Sequence, residues 1–512
     1  MIFRKWIALV LILLAALSYG WRISDKPLDF DERYTLNIAT GLGGTTSGIR
    51  TFGTFPTQPI SGSAFTSKAY WDRFTYANTV ATALSDNGQG IPYMTVLHSW
   101  IEATGLTVAG TRWPSALALL LTGGCLWYWL QKQDRARSGM ALLALTLLLF
   151  NGLLLDLAQY IRFYTFGVLL VVLSWIGLHR LCTRRRIPDA VLLGTIWTVA
   201  FVNQYFAALV IGSQGLYLLL FERKTLSPRI WAGLIAGSLV LLLIWLFPLG
   251  GIEAFASVFR YHDRSMQAAD TWSTPATLSV ILTGLAADLA TCFGAATHYT
   301  ASFKTAFNVV LALPGWMLCL RLTRESLTPF QLFCARVATL VIGLQLLFVI
   351  GHISLTHKTL LLVIRYWTFC IPFCLVLLSL AVVKGWQAGG FWRMLALISL
   401  IGLGVRGSFS VYAAFSGKAL SGFQKPQCIP MAAYPDYEAL SHQIRQQAGT
   451  GDTVCFKRWK TAQCTNWFLR TAPRIVQQVD TTQSGEVLLK TPSGRRPIPI
   501  HLGRPIAARP CN

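Results

Sequence analysis

Three carboxylates fall within four positions in the stretch Asp29-Phe30-Asp31-Glu32-Arg33-Tyr34. They stand just past the outer end of the first apolar segment, residues 6–23, and open a long polar loop. A carboxylate at a membrane face can act as a general base if an acceptor hydroxyl or amine comes within hydrogen-bond reach. Asp29-x-Asp31 has a second chemistry open to it, two oxygen donors holding a divalent cation against phosphate oxygens. The plain alternative is a solvated acidic start to a loop. Asp31 and Glu32 are the candidate catalytic pair, because charge beside a bilayer is costly unless it is solvated, paired or used.

Other groups fall at the same face. A short second outer loop carries Asp156, Gln159, Tyr160, Arg162 and Tyr164, and a later one carries His357, Lys358, Arg365 and Tyr366. An arginine at a helix end can snorkel, or it can clamp a phosphate through paired hydrogen bonds. Arg162, Tyr164, Lys358, Arg365 and Tyr366 are therefore candidates for holding an anionic lipid headgroup. In the first loop, Ile91-Pro92-Tyr93 begins an aromatic helix with His98 and Trp100, ending at Gly105. Arg112-Trp113-Pro114-Ser115 opens the next span, where a proline at a helix start needs no functional explanation. A lone histidine beside tryptophan is more often packed at an interface than used as a ligand. Asp29, Tyr93, His98 and Asp156 are kept as substrate-pocket candidates.

The elements that position these groups are membrane helices. The 512 residues are 54% hydrophobic and 13% charged, with mean hydropathy +0.50, whereas soluble proteins carry about 25% charged residues. Apolar stretches of about 17–25 residues recur, the length that spans a bilayer core. They are continuous rather than alternating, which selects helices over a barrel. The net charge of +23 follows from Lys and Arg in cytoplasmic loops. No basic run interleaved with aromatics marks a nucleic-acid surface. The basic tail faces anionic lipid or an anionic acceptor.

Arg4 and Lys5 place the N-terminus in the cytoplasm, and a signal peptide cleaved near Ala16-Leu17-Ser18 is the alternative reading. Charged ends then orient spans at 6–23, 111–130, 138–155, 162–181, 189–203, 205–221, 230–249, 307–322, 330–351, 360–383 and 391–412. Arg184-Arg185-Arg186 is the strongest cytoplasmic marker. Segment 275–296 reads as an amphipathic or re-entrant helix at the outer face. The expectation is an all-α polytopic membrane protein of about eleven transmembrane helices. Residues 1–412 form the membrane domain, with its first outer loop at 24–110. Residues 413–512 form a small extracytoplasmic α/β domain, with a helix at 437–448 and a strand at 453–456.

Of the eleven cysteines, four lie in that tail: Cys428, Cys455, Cys464 and Cys511. An even set in an oxidising compartment suggests disulfides. Cys455–Cys464 is favoured, because the stretch between them can form a hairpin, and Cys428 with Cys511 is the remaining pair. Zinc is the weaker alternative, since no Cys-x-x-Cys spacing occurs.

The order of these motifs resembles a family. Asp31-Glu32 follows the first helix, Pro92-Tyr93 precedes His98, and Arg112-x-Pro114-Ser115 opens a span. Gln159-x-x-Arg162-x-Tyr164, Asn203-Gln204-Tyr205-Phe206-Ala207 and Arg365-Tyr366 with Pro372 come next. The pattern is similar to the glycosyltransferase family 39/83 group with the GT-C fold. That group includes protein O-mannosyltransferases, the lipid A aminoarabinose transferase and rhizobial galacturonosyltransferase-like proteins.

The resemblance implies an inverting transfer of sugar from a polyprenyl-phosphate carrier to an envelope glycan, lipid or protein. The reaction would take place at the outer face of the inner (cytoplasmic) membrane. Asp31 would be the base and Glu32 its support. Arg162, Tyr164 and Arg365 would stabilise the departing lipid phosphate. Neither a nucleotide sugar nor a metal is implied. Two positions depart from the family pattern: Tyr160 stands where a Glu is usual, with Asp156 one turn earlier, and Gln204 stands where a His is usual.

Two other classes compete. A transporter or lipid flippase should show ionisable groups at the bilayer midplane and paired repeats with broken helices, whereas here no repeat is evident and the charges cluster at outer ends. A glycan ligase or polymerase using a lipid diphosphate need not carry a first-loop Asp-Glu.

Overall fold

The computed structural model describes residues 2–21, 23, 30–41, 74–85, 88–134, 139–258, 275–293, 303–356, 364–415, 437–448, 452–456, 476–479, 487–491 and 494–497. The chain forms two compact units. One comprises Met1–Trp21 and Ser115–Lys425, the other Arg22–Pro114 and Pro426–Asn512. The first outer loop therefore groups with the tail, a pairing that the charge pattern does not foretell.

The first unit is a bundle of apolar helices. Among the described residues six helices are long and apolar enough to cross a membrane: Phe3–Gly20, Tyr164–Arg184, Pro228–Leu246, Pro329–Thr356, Tyr366–Ala388 and Gly390–Ser408. Met140–Leu149 with Gly152–Ala158 makes a seventh if the bent pair is one span. The other expected spans are helical as well: Val108–Gln133, Ile187–Asn203, Phe303–Arg321, and Ala207–Tyr217 continued by a π turn at Leu218–Glu222. Ile187–Asn203 has 17 residues. At about 1.5 Å per residue it falls a little short of a hydrocarbon core about 30 Å thick.

Burial sorts the bundle. Tyr164–Arg184 and Ile371–Ala388 are apolar on nearly all sides and mostly buried, as central helices are. The first helix, Ile2–Gly20, leaves Leu9, Leu13, Leu14 and Leu17 exposed, and Gly390–Phe415 leaves Leu397, Ile401 and Val405 exposed. Such apolar faces suit lipid rather than water. Ile187–Asn203 and Pro228–Leu246 touch backbone to backbone. A Cβ on Gly194 would collide with the Leu234 carbonyl, and one on Gly237 with that of Val191. Small residues at such a seam let membrane helices approach closely. A polar chain crosses the bundle nearby: Trp197 Nε1 donates to Gln214 Oε1 at 2.6 Å and Gln214 Nε2 to Ser174 Oγ at 2.8 Å.

Three expected elements differ in detail. The span at 138–155 is broken by 56° between Leu149 and Gly152. Asn151 Oδ1 accepts from the Leu153 and Leu154 amides at 3.1 and 3.2 Å, starting a new helix. The span at 360–383 opens with a 3-10 turn, Ile364–Cys370, before the α-helix Ile371–Ala388. Pro372 in the first turn has no amide to donate and stands where none is needed. Segment 275–296 holds the helix Pro275–Cys292, which packs on Phe303–Arg321 and on the Ile364–Cys370 turn, with Leu285, Asp288 and Cys292 buried.

The second unit holds Phe30–Ala39, Tyr76–Ser85 and Ile91–Thr104, three helices packed on one another. The loop expected to open at Asp29 is thus helical from Phe30, with Asp31 and Glu32 in its first turn, where negative charge favours the helix dipole. The aromatic helix ends as expected, at Gly105, whose φ of 82° closes the last turn. The tail contains the helix Tyr437–Gln447, with Leu440 and Ile444 buried. Four short strands follow: β1 Thr453–Phe456, β2 Val476–Val479, β3 Val487–Thr491 and β4 Gly494–Pro497. Their order is β2-β1-β3-β4, with β1 parallel to β2 and the other pairs antiparallel.

Candidate functional site

Glu32 and Arg112 form a buried ion pair in the second unit. Arg112 Nε donates to Glu32 Oε1 at 2.8 Å and Nη2 to Oε2 at 2.7 Å, with both side chains about 1% exposed. Arg112 Nη1 donates to the Ile23 carbonyl at 2.5 Å. A two-pronged, charge-assisted pair of this kind is directional. It ties the first turn of Phe30–Ala39 to the start of Val108–Gln133 and leaves Glu32 little freedom for proton transfer. Asp31, its neighbour, is half-buried, and its carbonyl accepts from Thr35 Oγ1 at 2.8 Å. Of the two acids, Asp31 is the less buried.

His98 is built into the same unit as a buried tie. Its Nδ1–H points at the Ala39 carbonyl, 2.9 Å away, and lies 2.9 Å from Thr79 Oγ1. Thr79 Oγ1 in turn donates to the same carbonyl at 2.9 Å. The imidazole stacks on Phe74 with centroids 4.0 Å apart and lies against Tyr76 at 4.2 Å. That carbonyl ends the Asp31 helix, so His98 and Thr79 hold one end of it while Arg112 holds the other. Tyr93, also fully buried, sits on the His98 helix.

In the first unit, Gln159 secures the end of the first helix. Its Nε2 lies 3.2, 3.0 and 3.4 Å from the carbonyls of Ser18, Tyr19 and Trp21. These are among the carbonyls that a helix C-terminus leaves without partners. Tyr19 Oη donates to the Leu149 carbonyl at 2.7 Å. Arg162 is partly exposed, its guanidinium 5.4 Å from the Phe163 ring, and its carbonyl accepts from Ser115 Oγ at 3.3 Å. Tyr164 is buried at the head of Tyr164–Arg184. Asp156 is half-buried on Gly152–Ala158, and Tyr366 is half-buried with its ring 4.4 Å from that of Phe206. Arg162, Tyr164, Asp156 and Tyr366 therefore belong to one unit, and Asp31, Glu32, Tyr93 and His98 to the other.

Asp29, Lys358, Cys428, Cys464 and Cys511 lie outside the described residues, as does the side chain of Arg365. Cys455 is buried in β1. Among the described residues no three His, Cys, Asp or Glu side chains converge as cation ligands. The sequence reading missed the commitment of Glu32 to Arg112. The two are 80 residues apart, and only the Arg112-x-Pro114-Ser115 motif drew attention to the arginine.

No protein-family sequence model matches the chain, and no curated protein matches it in sequence. Solved structures do match in fold. The apo crystal structure of ArnT from Cupriavidus metallidurans aligns with TM-score 0.50 and 13% identity, over 91% of this chain and 85% of that one. ArnT from the same organism bound to undecaprenyl phosphate aligns with TM-score 0.51 and 13% identity, over 93% and 86%. The Archaeoglobus fulgidus oligosaccharyltransferase in its apo form aligns with TM-score 0.44 and 12% identity, over 94% of this chain and 66% of that one. The helical membrane architecture shared with ArnT is the GT-C fold.

Proposed function

We propose that this protein is an inverting glycosyltransferase that moves a sugar from a polyprenyl-phosphate carrier to an envelope acceptor. The observation that carries the reading is the fold likeness to ArnT, one of whose structures holds undecaprenyl phosphate, over 86% of the ArnT chain. The acceptor is a lipid, polysaccharide or protein. The reaction takes place at the outer face of the cytoplasmic membrane, with the N-terminus inside and residues 413–512 forming a domain outside.

In this reading Asp31 takes the proton of an acceptor hydroxyl or amine. The acceptor atom attacks the anomeric carbon, the carbon–oxygen bond to the phosphate breaks, and the polyprenyl phosphate leaves with the electron pair. Glu32, held by Arg112, keeps Asp31 in place as a positioning residue. Arg162, Tyr164, Lys358, Arg365 and Tyr366 neutralise the charge that develops on the leaving phosphate. Asp29, Tyr93, His98 and Asp156 shape the surroundings, and no metal takes part.

The test is transfer by the purified full-length protein in proteoliposomes. A panel of radiolabelled polyprenyl-phosphate sugars is offered with envelope extract from a deletion strain, and products are identified by mass spectrometry. Transfer that vanishes in Asp31→Asn is expected. Absence of transfer from every monophosphate donor, with transfer from a lipid diphosphate, would reject the reading.

A further inference from the structure

Six basic residues gather at one end of the first unit. Arg184, Arg185 and Arg186 join the helix Tyr164–Arg184 to Ile187–Asn203. Arg223, Lys224 and Arg229 lie where Ala207–Glu222 gives way to Pro228–Leu246. Two contacts bring these connections together. Arg185 Nη2 lies 3.9 Å from Glu222 Oε2. A Cβ on Gly233, one turn after Arg229, would lie 3.0 Å from Ile187 Cγ2, on the residue that follows Arg186. Arg184, Arg186, Arg223, Lys224 and Arg229 are exposed, and among the described residues none of the five is in an ion pair. Asp189, the other acid at this end, is taken by Arg180.

Arg185 also holds an unusual backbone. Its φ is 53°, and among the described residues no other non-glycine has a positive φ. Its amide donates to the Leu181 carbonyl at 2.8 Å and so ends the helix. Glycine adopts this left-handed conformation at less cost, and residues kept in it gather at functional sites. The positive-inside rule asks only for basic residues within a loop. It requires neither that two connections converge nor that an arginine stand where glycine fits.

Apolar surface adjoins the charge. Ile187, Val191, Leu219, Leu220 and Phe221 are exposed in the turns next to these basic residues. A ligand that matches both surfaces carries negative charge at one end and hydrocarbon at the other, as a phospholipid does. The 17-residue helix Ile187–Asn203 is short for a bilayer, which draws its flanking basic residues toward the headgroups. The bases come as two groups of three, with Glu222 the one acid between them. That charge fits two phosphates better than one. Arg184 closes a 21-residue helix headed by Tyr164. At about 1.5 Å per residue, some ~30 Å separates this end from that donor-phosphate candidate.

We infer that Arg184, Arg185, Arg186, Arg223, Lys224 and Arg229 form a binding site for an anionic phospholipid with two phosphates in its headgroup. This site is distinct from the donor site and stands independently of the glycosyltransferase reading.

Full-length protein in detergent is titrated with diphosphatidylglycerol, phosphatidylglycerol and phosphatidylcholine carrying the same type of acyl chain. Native mass spectrometry follows the first lipid adduct. Diphosphatidylglycerol is expected to bind about tenfold or more tightly than phosphatidylglycerol, the scale of one or two further basic contacts. Arg185→Gly suits the backbone and removes only the side chain, so its unfolding midpoint should equal or exceed that of the parent. It should weaken diphosphatidylglycerol about fivefold, the scale of one basic residue at an anionic surface, and leave phosphatidylcholine unchanged. Arg223→Gln, at an exposed position of the other group, should do the same. Saturating undecaprenyl phosphate or inorganic pyrophosphate should leave the adduct in place. Equal binding of the two anionic lipids, or parental binding by both variants, would overturn the site, leaving the arginines a topological signal alone. Displacement by undecaprenyl phosphate would place the lipid in the donor site, and displacement by pyrophosphate would make the ligand a soluble diphosphate. Either result overturns the inference.

Discussion

Arg112 grips Glu32 with two parallel hydrogen bonds, 2.8 and 2.7 Å long, in a place closed to solvent. The adjacent Asp31 is half-buried on the same helical turn. Two neighbouring acids are thus set apart by burial, one enclosed and held by an arginine, the other half-buried.

Removing one partner of a buried pair strands the other charge, at a cost of about 3–5 kcal/mol. Arg112→Ala and Glu32→Ala are each expected to lower the midpoint of thermal unfolding in detergent. The double variant should lose less than the sum, because no lone charge remains. Additive losses in this cycle would mean that the two side chains do not interact.

Asp31→Asn keeps the size and polarity of the side chain and removes only its basicity. Transfer should fall by about 100-fold or more, the usual contribution of a general base. Unfolding midpoint and membrane insertion should match the parent protein, since the side chain is partly exposed. Full transfer activity would remove Asp31 from the chemistry.

Arg365→Ala should act on the donor. Loss of a charge-assisted hydrogen bond to the phosphate raises the KM for polyprenyl-phosphate sugar by about 10- to 100-fold. Initial rates over a range of donor concentrations check this, and an unchanged donor KM excludes a phosphate contact.

Topology can be read by labelling single cysteines with a membrane-impermeant reagent, in a background free of the native cysteines. Sites at Arg184, Arg185 and Arg186 should react only from the cytoplasmic side, following the positive-inside rule. Sites in the Tyr437–Gln447 helix should react from the outside. A cytoplasmic tail would reverse the orientation drawn from the charged ends.

Much of the fold is legible in the sequence because lipid allows few backbone choices. A long apolar run in a bilayer becomes a helix, and the expected spans fall on helices, although 138–155 falls on two. The details that escaped detection are side-chain events. Asn151 bends a continuous apolar run by capping a second helix within it, and nothing in hydropathy separates that asparagine from one lost in a span. Gln159 stands out as part of a motif, but its hold on the Ser18, Tyr19 and Trp21 carbonyls at the end of the first helix depends on how distant segments meet. Asp31 and Glu32 are adjacent and chemically alike, so their different environments follow only from what lies across from each.

The separation of Glu32 and Arg112 by 80 residues also sets an order of assembly during synthesis. At about 5–20 residues per second, roughly 4–16 s pass before the arginine is made. Throughout that interval the glutamate must remain hydrated, so the turn that bears Asp31 cannot close over it. The first turn of the Phe30–Ala39 helix therefore takes its final form only after Arg112 has been made. A chain truncated before Arg112 would present its acids on an unfinished scaffold.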